Sequence, residues 1–499
     1  MNELADGTIR AHPNGLGKTQ RIVIFILLLA FIIRILGITR ESIWLDEAMT
    51  GLRSQMNLWD LIENISPKDH LPLYFVSIWI LEKIAGNSEL VLRLPSAVLG
   101  ALTVIPVFFI GSRFSRRVGI MAAFLTAINP SLIYYSQEAR MYAPMAFLAA
   151  LSLYYSFEMI KPSRISKKHA IFGLVITNTV LFYLHYFSAI FIAVETLSIF
   201  ACDLIMNRRR IRKESILMVL PNIISFIIFL PWLSFILIRY PFSGHTTGGG
   251  LELSPFLLYA TYFFLGGTYK FYYELEFGIP FIASLWMLIA AILGTIYLTS
   301  RGSRDKVSRR MWIFFIPMLV VPTLSVYIIS YCWQSIYNYR YFIFIMPALV
   351  IMSSLGIDYL LKSITKITNY RELLRIMIIL FIPLFLLTAD VFMFAREDKS
   401  DWRGATLHIE NNLGDDDIIL PQPAHQRYTM YYYAPDLPIR SISANPTNVT
   451  ELFEDHEVIW LVTYQYRDLD YFGFIDLLNN RTVEKIEGFS GLNVWRFSR

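Results

Sequence analysis

The feature that most constrains this chain is a succession of apolar runs, each close to the roughly 20 residues a helix needs to cross a bilayer. Such runs occur at approximately 22–39, 94–112, 118–136, 141–160, 170–185, 187–206, 214–238, 277–299, 311–332, 340–361 and 373–395. Two shorter apolar stretches, 71–85 and 254–268, either cross or lie in the interface. Backbone polar groups in lipid must be satisfied within their own segment, so these runs are predicted to be helices. Only 17% of the 499 residues are charged and 55% are hydrophobic, which points to a polytopic membrane protein and not a soluble enzyme. No small-residue cleavage site follows Ile22–Ile38, so that run reads as the first span and not as a removed leader.

Charge then sets the expected orientation. With Lys18 and Arg21 in the cytoplasm and neither short stretch crossing, the basic loops at 113–117, 161–168, 208–213, 301–310 and 362–375 all fall inside. Crossing by both short stretches would move the first three of those loops outside. Eleven full spans with two interfacial pieces are therefore predicted, thirteen being the alternative. Orientation also accounts for the net charge of +5, so no nucleic-acid partner is expected. Cys202 and Cys332 lie in separate apolar runs and imply neither a disulfide framework nor a cysteine metal site.

Composition changes abruptly after the last run. Residues 397–499 are polar, with a helix predicted from Asp401-Trp402-Arg403-Gly404 and strand-like runs at 417–420, 458–463 and 492–497. The reading is a transmembrane domain, 1–396, followed by a small soluble α/β domain, 397–499, placed outside by the parity of the spans.

The same parity collects the unusual polar residues on the side opposite the cytoplasm. Asp46 and Glu47 emerge just past the first run, where charge near the membrane is costly without a function. Adjacent carboxylates can divide labour, one accepting a proton while the other orients a substrate or cation, and they titrate as a coupled pair. Glu138 and Arg140 stand in a minimal turn before Tyr142, either as an ion pair or with the arginine offering a fixed fork of donors to a phosphate. His70, four residues before Tyr74, is either interfacial or a donor to a phosphate or sugar hydroxyl. His185-Tyr186 interrupts residues 170–206 as a hairpin tip or as part of the site. Arg340-Tyr341 offers a snorkelling arginine or a second cation, and Lys270, among tyrosines, is a weaker candidate for the same duty. Gly248-Gly249-Gly250 lacks the strand-loop-helix setting of a nucleotide loop and reads as a substrate lid.

Taken together, Trp44-Leu45-Asp46-Glu47-Ala48, His70-Leu71-Pro72-Leu73-Tyr74, Arg93-Leu94-Pro95-Ser96, Ser136-Gln137-Glu138-Ala139-Arg140-Met141-Tyr142, Arg340-Tyr341 and Asp401-Trp402-Arg403-Gly404 resemble glycosyltransferase family 39. Its members include the protein O-mannosyltransferases and the aminoarabinose transferases of lipid A. The resemblance is best over the first 200 residues. It implies the GT-C fold, a multi-pass protein of the plasma (inner) membrane, and a monosaccharide donor carried on polyprenyl phosphate. It implies Asp46 as the catalytic base with Glu47 as its acidic neighbour, and Arg140 and Arg340 as ligands of the lipid phosphate. Some relatives carry a lysine where this chain has His70-Leu71, which leaves the role of His70 open. The acceptor implied is a hydroxyl or phosphate of a lipid, protein or glycan. Family members differ in metal dependence, so a divalent cation stays open. The rival readings are a secondary transporter and a non-catalytic sugar-binding protein; the first is disfavoured because the rare charges sit at helix ends instead of the membrane midplane.

Overall fold

The computed structural model describes residues 17–65, 70–206, 213–239, 279–302, 305–332, 338–364, 371–395, 399–440, 456–465 and 482–498. In chain order its helices are α1 (Lys18–Ile35), α2 (Leu45–Gln55), α3 (Leu58–Asn64), α4 (Pro72–Ala85), α5 (Glu89–Leu102), α6 (Val104–Gly111), α7 (Arg116–Ala127), α8 (Pro130–Ser136), α9 (Tyr142–Ile160), α10 (Lys167–Leu184), α11 (Ser188–Met206) and α12 (Lys213–Arg239). They continue with α13 (Ile279–Gly302), α14 (Lys306–Cys332), a 3-10 helix (Tyr339–Ile345), α15 (Met346–Ile364), α16 (Arg371–Ala395), α17 (Trp402–Asn411) and α18 (Arg427–Tyr433). Among the described residues four strands follow the last span: β1 (Ile418–Gln422), β2 (Val458–Tyr464), β3 (Thr482–Ile486) and β4 (Leu492–Ser498). The chain divides into two units. One comprises residues 1–36, 65–74 and 93–392, and the other residues 37–64, 75–92 and 393–499.

Among the described residues, six helical segments are long and apolar enough to cross a membrane. The helix pair α7 and α8, bent by 50° at its break, makes a seventh. This is fewer than the eleven expected, for identifiable reasons. Three cations, Lys18, Arg21 and Arg34, fall within α1, and α10 opens on Lys167-Lys168. Within α13 and α16 the described apolar stretches are Leu285–Arg301 and Leu386–Ala395. The stretch 71–85 forms α4, whose 14 residues span only about 21 Å against a hydrocarbon core of about 30 Å. The stretch 254–268, the Gly248–Gly250 loop and Lys270 lie outside the described residues.

Two buried charged residues of the helical unit are held by hydrogen-bond networks. Arg34 is fully buried, and its guanidinium donates to Ser136 Oγ at 3.1 Å, to the carbonyls of Ala30 and Ala127 at 3.0 Å, and to that of Thr126 at 3.1 Å. It thereby ties α1 to α7 and α8. Gly356 of α15 packs where a β-carbon would collide with the carbonyl of Ala290 in α13, so those two helices meet backbone to backbone. Glu195 of α11, also fully buried, accepts from Ser152 at 2.7 Å and Ser156 at 2.9 Å on α9, and from Asn178 Nδ2 of α10 at 2.8 Å. Asn178 bonds in turn to Asn222 of α12 at 2.9 Å. One carboxyl group thus links four consecutive helices through neutral donors.

The second unit is built on a four-stranded sheet of order β1-β2-β4-β3, in which β1 and β2 are parallel and the other pairs antiparallel. Strands are found at all three predicted runs. The edge strand β3 was not predicted: Thr482–Ile486 is almost wholly exposed and carries no alternating apolar pattern. Trp402, Ala405 and Ile409 of α17 pack with Met430, Ala434, Trp460, Val462, Leu492 and Val494 as its core. Asp401 caps α17, accepting from Gly404 N at 2.9 Å. Segments 37–64 and 75–92, from early in the sequence, belong to this unit as well.

Candidate active site

In the helical unit, four of the predicted residues come together at the ends of α9 and α10 and in the 3-10 helix. Tyr142 opens α9, His185 ends α10, and Arg340-Tyr341 lies in the 3-10 helix capped by Asn338. The His185 and Tyr341 rings are 4.9 Å apart, and each lies 6.4 Å from Tyr142. The Arg340 guanidinium carbon lies 5.9 Å from the centre of the Tyr142 ring, and its Nε donates to Asn338 Oδ1 at 3.1 Å. Arg140, Arg340 and His70 are all electrostatic neighbours of His185. The Arg340 guanidinium and the His185 imidazole thus meet at one set of aromatic rings, with Arg140 and His70 near enough to act electrostatically on His185, an arrangement suited to a phosphate.

The remaining predicted residues of this unit frame that cluster. Arg140 is 3% exposed, and its carbonyl accepts from Ser96 Oγ at 3.0 Å, so the Arg93–Ser96 motif supports the turn. Glu138 and Tyr74 are buried. Tyr186 is half-buried, and its carbonyl accepts from Ala189 N at 3.1 Å. Two participants escaped the sequence reading. Phe187 sets its ring 4.7 Å from that of Tyr341 at a tilt of 40°, and Asn338 orients Arg340. Asn338 had a usable signal, being an N-cap residue before an aromatic run; Phe187 had none.

In the second unit, Asp46 and Glu47 occupy the first turn of α2, where the positive end of the helix dipole favours anions. Their surroundings differ. Asp46 is half-buried, and its carbonyl accepts from Thr50 Oγ1 at 2.9 Å. Glu47 is completely buried and forms an ion pair with Lys399 Nζ at 2.8 Å. The preceding loop is bound along its length. Ser42 Oγ donates to Asp401 at 2.9 Å, and Ile43 N donates to the Tyr433 hydroxyl at 2.7 Å. Arg403 donates to the carbonyl of Thr39 at 2.9 Å and pairs with Glu89 at 2.6 Å. Burial and the Glu89 carboxylate push the Tyr433 phenol above its ordinary range. Burial opposes charge on Arg403, but Glu89 and Tyr433 outweigh it and raise its pKa. Among the described residues no three His, Cys, Asp or Glu side chains converge as a metal site.

Residues 69–235 match the family model described as dolichyl-phosphate-mannose-protein mannosyltransferase. No curated protein matches the chain in sequence. Among solved structures, the chain is similar to ArnT from Cupriavidus metallidurans in the apo state, with a TM-score of 0.58 and 12% identity over 95% of this chain and 97% of that one. The same protein bound to undecaprenyl phosphate gives 0.55 and 11% over the same shares. The oligosaccharyltransferase of Archaeoglobus fulgidus, tethered with an acceptor peptide, gives 0.52 and 12% over 89% of this chain and 68% of that one. The fold is shared along nearly the whole length, and the family match falls on the segment that supplies Arg140, Tyr142 and His185. The chain is thus a mostly helical, multi-pass membrane protein that shares the GT-C fold of these structures.

Proposed function

We propose that the protein transfers a monosaccharide, a hexose or pentose, from a polyprenyl-phosphate carrier to a hydroxyl or phosphate acceptor on the extracytoplasmic side of the plasma membrane. The observation that carries this reading is the meeting of Arg340 and His185 at the Tyr142 and Tyr341 rings, with Arg140 and His70 as electrostatic neighbours of His185. Such a group suits the phosphate of a lipid-borne sugar, and a structural relative was solved with undecaprenyl phosphate bound. Asp46 is the base: it takes the acceptor proton as the acceptor oxygen bonds to the anomeric carbon. The anomeric carbon–oxygen bond to phosphate breaks, and Arg140 and Arg340 stabilise the charge on the departing polyprenyl phosphate. In-line displacement inverts the anomeric configuration. Residues 397–499 act as a soluble domain on the same side.

The test is reconstitution in vesicles with a labelled polyprenyl-phosphate sugar and candidate lipid, peptide and glycan acceptors. The expected result is release of polyprenyl phosphate together with a glycosylated acceptor of inverted configuration. Movement of the donor or acceptor across the membrane with no bond formed would overturn the proposal in favour of a transporter.

A further inference from the structure

Glu47 and Lys399 lie 352 residues apart in sequence, yet their side chains, 0% and 8% exposed, meet as an ion pair. A lysine this deeply desolvated is costly unless its partner stays ionised. We infer that Lys399 is a positioning residue: through Glu47 it fixes the first turn of α2, and with it the carboxylate of Asp46, so Glu47 serves this clamp and not the reacting atoms. The inference rests on Asp46 being the base, as proposed above.

Several contacts point the same way. Asp46 and Glu47 are adjacent on one helical turn, so any shift that Glu47 makes to find another partner carries Asp46 with it. That turn has no side-chain cap of its own, because its N-cap residue is Trp44. The rigidity that a Ser or Asp cap would normally give comes from elsewhere. The segment 399–403 provides it: besides the ion pair, Lys399 N donates to Glu41 Oε1 at 3.3 Å, Asp401 accepts from Ser42, and Arg403 donates to the Glu41 carbonyl at 3.2 Å. The opening of the tail thus grips the chain on the approach to Asp46 at residues 41 and 42 and again at 47. A carboxylate already neutralised by a buried ammonium is a poor proton acceptor and a poor ligand for a substrate, whereas Asp46 beside it stays partly accessible.

The experiment is a double-mutant cycle on the purified full-length enzyme, with Glu47→Gln, Lys399→Met and the combined variant, measuring kcat, donor KM and thermal unfolding. Each single change strands one buried group, and each should lower kcat by about 10- to 100-fold, the scale of a small misplacement of a catalytic group, with donor KM little changed. The double variant, which strands neither, should regain at least about tenfold in kcat over the worse single and recover unfolding temperature in parallel. A double variant that recovers its unfolding temperature but is as inactive as Glu47→Gln would overturn the inference, because Glu47 would then touch the substrate. So would Lys399→Met with undiminished kcat. Should a single variant fail to fold, the activity of the folded double variant still decides. Failure of the base assignment reads differently: Asp46→Asn would keep its turnover while Glu47 and Lys399 remained coupled in unfolding.

Discussion

Among the described residues two glutamates are 0% exposed, one in each unit, and they are accommodated by opposite means. Glu195, among the helices, is held by two hydroxyls and an amide from neighbouring segments, with no cation among these donors. Glu47, in the tail-built unit, is held by a lysine from the far end of the chain. Neutral donors bring no second desolvated charge into the apolar bundle, so the Glu195 network costs less to bury. The ionic solution is costlier, but it ties the approach to Asp46 to a segment that could not otherwise reach it. The difference separates a device for holding helices together from one for holding in place the residue proposed as the base.

Substitutions can sharpen or break that contrast. The largest effect is expected at Asp46, the acid left partly accessible: Asp46→Asn should lower transfer by about 10²- to 10⁴-fold while donor binding and thermal unfolding stay near wild type. Turnover within a fewfold of wild type would remove Asp46 as the base. Next comes Arg140→Ala, which should weaken binding of a labelled polyprenyl-phosphate sugar by about 10- to 100-fold, on the scale of losing a charge-assisted hydrogen bond. Unchanged affinity would take Arg140 out of the phosphate site. Glu195→Ala should cost about 1–3 kcal/mol of stability by leaving buried donors unsatisfied, with little dependence on salt, whereas Glu195→Gln retains most of it. Equal losses for Ala and Gln would show that the charge matters, and the contrast with Glu47 would collapse.

The smallest effect concerns Tyr433, whose hydroxyl accepts from Ile43 N and donates to Glu89. Tyr433→Phe should cost about 1 kcal/mol, read from thermal unfolding. Its phenol titrates above the ordinary tyrosine value of about 10, so its contribution is complete below that pH and disappears as pH rises through the higher folded value. Wild-type stability should therefore fall in strong alkali by an amount that Tyr433→Phe lacks.

Local signals made much of this architecture legible. The apolar runs gave the helices, and short β-branched or aromatic runs gave three of four strands. Asp401 three residues before Gly404 marked the start of α17. The aromatic and basic residues about His185 were legible as interruptions in apolar sequence. What stayed hidden depends on contacts between distant parts of the chain. Nothing near Lys399 marks it as the partner of Glu47, and nothing near Glu89 points to Arg403 and Tyr433. Among the described residues fewer helices meet the length and hydropathy of a span than there are apolar runs, because apolar length alone does not register the cations inside α1 or at the start of α10. Phe187 was invisible for another reason: one phenylalanine among many carries no local mark of the ring it faces.

The contacts that bind residues 39–47 to residues 399–403 and 433 also impose an order on biosynthesis. By the time the ribosome reaches Lys399, the membrane helices have already been translated, while the turn that bears Asp46 still lacks its fastening. Completion of that turn awaits the final fifth of the polypeptide, so a nascent or prematurely terminated chain would occupy the bilayer with α2 unfastened.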